Sequence, residues 1–305
     1  MPPRWGLVIH TGAGSFTLES LGDRQAAMRS AMIDALAAGH RILAEGGSSV
    51  DAVEEAVVVL EDSPHFNAGR GAVFTHDGLH ELDAAVMDGR TMTAGAVAAV
   101  RRVKNPVRLA RVVMERSPHV LLVGEGAEAF GRAHGGIEFV DERYFRTELR
   151  WEQLQRALSG DSDEDLYFGT VGAVALDRQG DLAAATSTGG TTNKRAGRVG
   201  DSPIIGAGTY ASNLCCAISA TGVGEYFIRY TVAKDICARV EYGGIAAQAA
   251  ADEVIHGVLR RAGGRGGVVG LDRQGGVIMS FNTSGMGRGY VGADGQATIR
   301  LTADQ

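Results

Sequence analysis

Thr170 directly follows Gly169, and this junction is where the chain could do chemistry. A threonine hydroxyl is a weak nucleophile until a base takes its proton. An N-terminal threonine carries that base itself, because its α-amine titrates near ~7.7–8.0 and sits beside the hydroxyl. Thr170 is internal, so cleavage before it would have to create the amine. Gly169, lacking a Cβ, can adopt the strained backbone that lets the Thr170 hydroxyl attack its carbonyl. Gly-Thr also starts ordinary strands, as at Gly208-Thr209. The dipeptide alone leaves both readings open.

The surrounding pattern fixes a partner for Thr170. From Thr170 the chain runs strand, turn, strand, with Leu176–Gly180 repeated as Leu271–Gly275. Both copies suit hairpins with three-residue Arg-Gln-Gly loops, the glycine taking the left-handed position. In the first hairpin Asp177 then pairs with Asp181, which sets Thr170 opposite Thr188. Opposed Cβ atoms lie about 4.5–5.5 Å apart, so two hydroxyls meet at the open end. In the second hairpin the equivalent positions are Arg265 and Thr283, which lack the first hydroxyl. Only the first hairpin is a candidate site.

Other chemistries are poorly signalled. No HExxH, CxxC or phosphate-loop pattern occurs. The three cysteines, Cys215, Cys216 and Cys237, have the spacing of neither a disulfide framework nor a zinc site, and they favour a reducing compartment. A net charge of −6 and a pI near 5.8 argue against nucleic acid. The cations from Arg101 to Arg116 suit a solvated helix face behind an Asn105-Pro106 cap. The apolar run Leu7–Ile9 is too short for a signal peptide and no long apolar stretch follows, so a soluble cytoplasmic protein without membrane contact is expected. Of the 44 glycines, 25 lie after residue 169, which points to the second half for close backbone approach to a ligand.

Elements to position the site follow from periodicity. Gly6–His10 should be a strand ending in a turn at Thr11–Gly14. Apolar spacing predicts a helix over Arg24–Ala44, and Ser48 with Asp51 caps a second helix reaching Leu60. A further helix over Arg150–Leu158 would carry Trp151, Leu154 and Leu158 on one side. Ser159–Asp165 has no apolar residue and four acidic ones, so it should form a mobile loop leading to the junction.

Gly169–Ala211 resembles the plant-type L-asparaginase and isoaspartyl peptidase family. So do Phe66–Gly69 with Gly71–Phe74, His80–Ala84, Lys104–Pro106, Pro118–Leu122, Gly124–Ala127 and Ser219–Glu225. The likeness covers almost the whole chain in order. It departs at His10-Thr11-Gly12-Ala13-Gly14, where the family usually has His-Gly-Gly-Ala-Gly.

The resemblance implies a four-layer αββα sandwich of N-terminal nucleophile hydrolases, self-cleaved between Gly169 and Thr170 into 1–169 and 170–305, two subunits of one domain. It implies that Thr170 is the nucleophile, with Thr188 bonding it and Thr221 with the Gly222 N–H forming an oxyanion hole. Arg198 would take the substrate α-carboxylate and Asp201 its α-ammonium, aided by Gly224, with Asn67 near the substrate. A structural sodium ion on backbone carbonyls of Leu60, Glu61, Ser63, Phe66, Ala68 and Arg70 is implied too, as is a dimer of cleaved pairs. The activity implied is hydrolysis of β-aspartyl dipeptides and L-asparagine to L-aspartate, with no catalytic cofactor. Alternatives are a glycosylasparaginase, a threonine endopeptidase or a non-catalytic binding relative. On residue types alone, Arg198 and Asp201 suit a surface ion pair better than a binding pair, and Thr221 suits a turn. His10 suits a hydrogen-bonded core position better than a base.

Overall fold

The protein is described by a computed structural model over residues 5–160 and 169–305. The segment before Thr170 on which the acidic-loop expectation mostly falls, residues 161–168, lies outside the described residues. Twelve strands occur among the described residues: β1 Gly6–Gly14, β2 Leu82–Asp88, β3 Ala94–Val100, β4 Leu121–Val123, β5 Thr170–Leu176, β6 Leu182–Thr188, β7 Thr209–Ala211, β8 Cys216–Gly222, β9 Gly266–Asp272, β10 Val277–Phe281, β11 Gly285–Gly292 and β12 Ala297–Thr302. They make an eight-stranded sheet, β12-β11-β1-β5-β6-β2-β3-β4, and a four-stranded sheet, β10-β9-β8-β7.

Residue alternation along the strands builds the layers. Leu7, Ile9, Val171, Ala173 and Ala175 pack with the helices Arg24–Ala44, Ser49–Asp62 and Pro106–Arg116. Val8, Val174 and Leu176 face the other way, onto Ile218, Ala220 and Val268 of the smaller sheet. Successive strand side chains point to opposite faces. The even-numbered positions of β5 and β6, Thr170 and Thr188 included, therefore lie between the sheets. The small sheet is covered outside by the helices Val232–Gly243 and Ala247–Asp252, the latter continuing as a π-helix to Leu259. This is the αββα sandwich expected.

Small residues let the sheets meet. A Cβ on Gly172 would come within 2.0 Å of Ser219 Oγ and 2.5 Å of His10 Nε2. Between the sheets a hydroxyl chain links His10 to Ser219 (2.9 Å), Ser219 to Thr186 (2.7 Å) and Thr186 to Thr209 (2.6 Å). Burial lowers the His10 pKa to about 3, so the ring is neutral and structural.

Both hairpins form with the expected loops. Gly180 and Gly275 adopt φ of 84° and 79°, and Asp177 N–H donates to the Asp181 carbonyl at 3.0 Å. The second ladder ends at Gly267 and Phe281, short of Arg265 and Thr283.

Several local expectations are corrected. Thr11–Gly14 is not a turn: β1 continues through it, with a register shift between His10 and Ala13 where Gly12 has φ 108°. A bulge absorbs the extra residue, and β11 resumes pairing at Ala13 while the β5 ladder ends at His10. In the helix Glu148–Leu158 only Leu154 of the three apolar residues is buried, and Leu158 is 45% exposed. Arg150 is buried instead, donating to the Gly71 carbonyl at 2.8 Å. The cations before Arg116 are not simply solvated. Arg108 and Arg111 form ion pairs with Asp51, Glu54 and Glu55 of the preceding helix.

Candidate active site

The β5–β6 ladder puts Thr170 opposite Thr188, and every pair from Val171–Ser187 to Leu176–Leu182 keeps that register. The Thr170 hydroxyl donates to Thr188 Oγ1 at 3.1 Å. Thr188 accepts from the Gly190 N–H at 3.0 Å and donates to the Gly169 carbonyl at 3.4 Å. One hydroxyl thus links the candidate nucleophile to the carbonyl before it. Asp83 of β2 lies on the far side of Thr188 in the ladder.

A cleft of about 10 Å³ is lined by Gly169, Thr170, Thr188, Arg198, Asp201 and Gly222, all singled out in the sequence, and by Gly190, Thr191 and Gly200. That is room for about one water. Gly224 abuts it: a Cβ there would lie 2.8 Å from Asp201 Oδ1 and 3.1 Å from Arg198 Nη2.

The Arg198–Asp201 surface pair does not form. Arg198 is bound by Glu225, its Nε and Nη2 donating to the two carboxylate oxygens at 3.0 Å each. Asp201 is buried, with Oδ2 lacking any partner among the described residues. Burial raises its pKa to about 7, partly offset by the Arg198 charge. Sequence reasoning missed Glu225 because 27 positions separate it from Arg198. The only signal was an acid directly after Gly224.

Thr221 is fully buried and its hydroxyl likewise has no partner among the described residues. It is the penultimate residue of β8, opposite Gly267 of β9. Next to it, Gly222 has φ 154°, and a Cβ there would strike Arg265 O at 2.4 Å and Phe227 Cε2 at 2.6 Å. Only glycine suits that position. Buried polar atoms without partners are rare in folded proteins. Two such atoms lie here, Asp201 Oδ2 in the cleft wall and Thr221 Oγ1 on the residue before Gly222.

Asn67 acts on the backbone. Its Nδ2 donates to the Gly190 carbonyl at 2.7 Å and its Oδ1 accepts from Val73 N–H at 2.9 Å. Its Cβ would sit 2.7 Å from one added to Gly169. It braces the cleft wall. In the Leu60–Arg70 loop glycines let the chain pass close to backbone carbonyls: a Cβ on Gly69 would meet Glu61 O and one on Gly71 would meet Phe66 O. The Glu61 side chain accepts from Ser187 Oγ at 2.6 Å and Val107 N–H at 3.1 Å, and burial raises its pKa to about 8.

The cysteines, unremarkable in spacing, meet in space: all three Sγ atoms lie within 4.8 Å of one another. No helix among the described residues is long and apolar enough to cross a membrane.

The four-layer αββα sandwich is consistent with the fold of the N-terminal nucleophile hydrolases. Within that class the chain belongs to the asparaginase family, whose sequence profile, described as "Asparaginase", matches residues 3–301. It is 50% identical over 302 residues to the isoaspartyl peptidase of Escherichia coli, covering 94% of this chain and 93% of that protein. It is 42% identical over 286 residues to the isoaspartyl peptidase/L-asparaginase of Homo sapiens, covering 92% and 91%.

Proposed function

We propose that this protein is a self-processing amidohydrolase that cleaves β-aspartyl dipeptides and L-asparagine, with Thr170 as nucleophile. The observation that carries the reading is the hydroxyl relay from Thr170 through Thr188 to the Gly169 carbonyl.

Processing uses that relay. The Thr170 hydroxyl attacks the Gly169 carbonyl carbon, and Thr188 donates to the oxygen on which negative charge grows. The peptide nitrogen leaves as the Thr170 amine, and water hydrolyses the resulting ester, giving 1–169 and 170–305. Gly169 forms part of the cleft wall, and a volume of about 10 Å³ cannot admit a dipeptide. Cleavage therefore both makes the base and frees the seat.

The freed amine then takes the Thr170 hydroxyl proton as the oxygen attacks the substrate β-carbonyl. Thr221 Oγ1 and the Gly222 N–H hold the oxyanion. The amine returns its proton to the leaving ammonia or amino acid, and water completes the hydrolysis to L-aspartate. Arg198 grips the α-carboxylate as a planar fork and Asp201 the α-ammonium.

A sodium ion on backbone carbonyls of the Leu60–Arg70 loop would stabilise the loop around Asn67. Two cleaved pairs would associate as a dimer, and three free thiols suit the cytoplasm.

A β-linked aspartyl dipeptide presents both α-groups free, whereas an α-linked one has its carboxyl tied up in the peptide bond. The test is comparison of β-Asp-Leu with α-Asp-Leu. The β-isomer should be hydrolysed and the α-isomer ignored. Equal cleavage of the two would overturn the assignment of Arg198 and Asp201.

A further inference from the structure

Cys216 opens β8 and Cys237 lies in the helix Val232–Gly243 packed against it, both with no solvent exposure. Their sulfurs are 3.1 Å apart, about 1 Å from bonding distance. Cys215 completes the trio and alone has any exposure, 4%, beside Leu214 at 74%. The Cys237 thiol also bonds the Cys216 carbonyl at 3.0 Å, which holds the pair in place.

We propose that these residues form a peroxide-responsive thiol centre, in which Cys216 and Cys237 close a reversible disulfide and Cys215 is the thiol that meets the oxidant. Val232, Ala233 and Ile236 belong to the same buried cluster as the pair, with Tyr210 and Ser212 as polar neighbours of the trio. A disulfide is neutral, whereas a metal ion on three thiolates would bury net charge there. The chemistry balances in three steps. The Cys215 thiol is oxidised by a hydroperoxide to a sulfenic acid, releasing an alcohol or water. Cys237 attacks that sulfur, forming an S–S bond and releasing water. Cys216 then attacks Cys237, and Cys215 leaves as a thiol. Hydrogen bonding from Cys216 and Cys237 lowers the Cys215 pKa, while Cys216 is raised chiefly by its bond to Cys215 and Cys237 chiefly by burial. The thiolate character therefore sits where the oxidant arrives.

The bond would close a loop from residue 216 to 237. Inside that loop lie Thr221, Gly222, Gly224 and Glu225, so oxidation would fasten the segment that forms one wall of the cleft.

The test treats the folded protein with hydrogen peroxide, quenches it in acid, and counts thiols with N-ethylmaleimide in denaturant at neutral pH on the polypeptide carrying residues 170–305. One adduct instead of three is expected, with peptide mapping joining Cys216 to Cys237, and dithiothreitol restoring three. Cys215→Ala should form the same bond at least roughly tenfold more slowly, because the thiol that meets the oxidant is gone. The oxidised protein should melt about 3 °C or more higher, since the cross-link restrains the unfolded chain. Three thiols surviving, Cys215 over-oxidised to sulfinic acid with no bond, a bond between two chains, or a melting temperature that does not rise would each overturn the proposal. Protection of all three thiols by one equivalent of Cu(I), with no disulfide under peroxide, would make the cluster a metal site instead.

Discussion

Glu225 holds Arg198 through two parallel hydrogen bonds of 3.0 Å, leaving Nη1 of the guanidinium beside Gly190 and Gly200 at the cleft. The carboxylate fixes the plane of the fork without occupying its whole donor set. Glu225 therefore positions Arg198.

Glu225→Ala should raise KM for β-Asp-Leu by roughly three- to tenfold and change kcat less. The carboxylate is more than half exposed, so solvent screening limits the effect. Steady-state kinetics decide it. If KM is unchanged while kcat collapses, Glu225 acts in the chemistry and not on Arg198.

Asp201 gives a pH dependence with a definite sign. Its pKa rises from 3.8 to about 7 on burial, so the fold favours the protonated acid. The stability this lends is full below pH 3.8 and is lost as pH rises through about 7. Asp201→Asn should accordingly melt several degrees higher than wild type at pH 8, from a term on the order of 4 kcal/mol at most, and gain nothing at pH 4. The ionised form is the one that holds the ammonium, so wild-type kcat/KM should fall below about pH 7. The Thr170 amine must also be neutral, which adds to the same limb; Asp201→Asn, much slower, should keep only that part. A variant no more stable at pH 8 than at pH 4 contradicts the burial account.

Asn67→Asp should disturb processing before substrate is involved. A carboxylate oxygen in place of Nδ2 would face the Gly190 carbonyl at 2.7 Å, and a buried unpaired acceptor costs about 1–3 kcal/mol. Slower cleavage and a lower melting temperature are expected, followed by gel and calorimetry. Wild-type rates of cleavage would remove Asn67 from the wall of the site.

How far the sequence carried depends on range. Thr170 opposite Thr188 was legible because a three-residue turn fixes register over a whole hairpin, and β5–β6 keeps it. The helix Arg24–Ala44 was legible from its period. The four layers came with the family resemblance, as did the roles proposed for Arg198, Asp201 and Thr221. Contacts between distant segments were hidden: Glu225 on Arg198, Cys237 on Cys216, and Arg150 buried on the Gly71 carbonyl. None has a spacing rule, since the fold alone brings them together. The bulge at Gly12 was hidden for a related reason, because a glycine-rich strand looks like a turn until its neighbours pair with it.

The central claim is that Thr170 becomes the N-terminus and serves as nucleophile for both reactions. Intact mass spectrometry of freshly purified protein, with N-terminal sequencing of the smaller fragment, tests it most directly. Wild type should resolve into 1–169 and 170–305, the second beginning with threonine. Thr170→Ala should stay whole and inactive, and Thr170→Ser should retain part of both reactions, since hydroxyl and amine survive. A wild-type chain that remains whole yet hydrolyses β-Asp-Leu would contradict the account, as would more than trace turnover by Thr170→Ala.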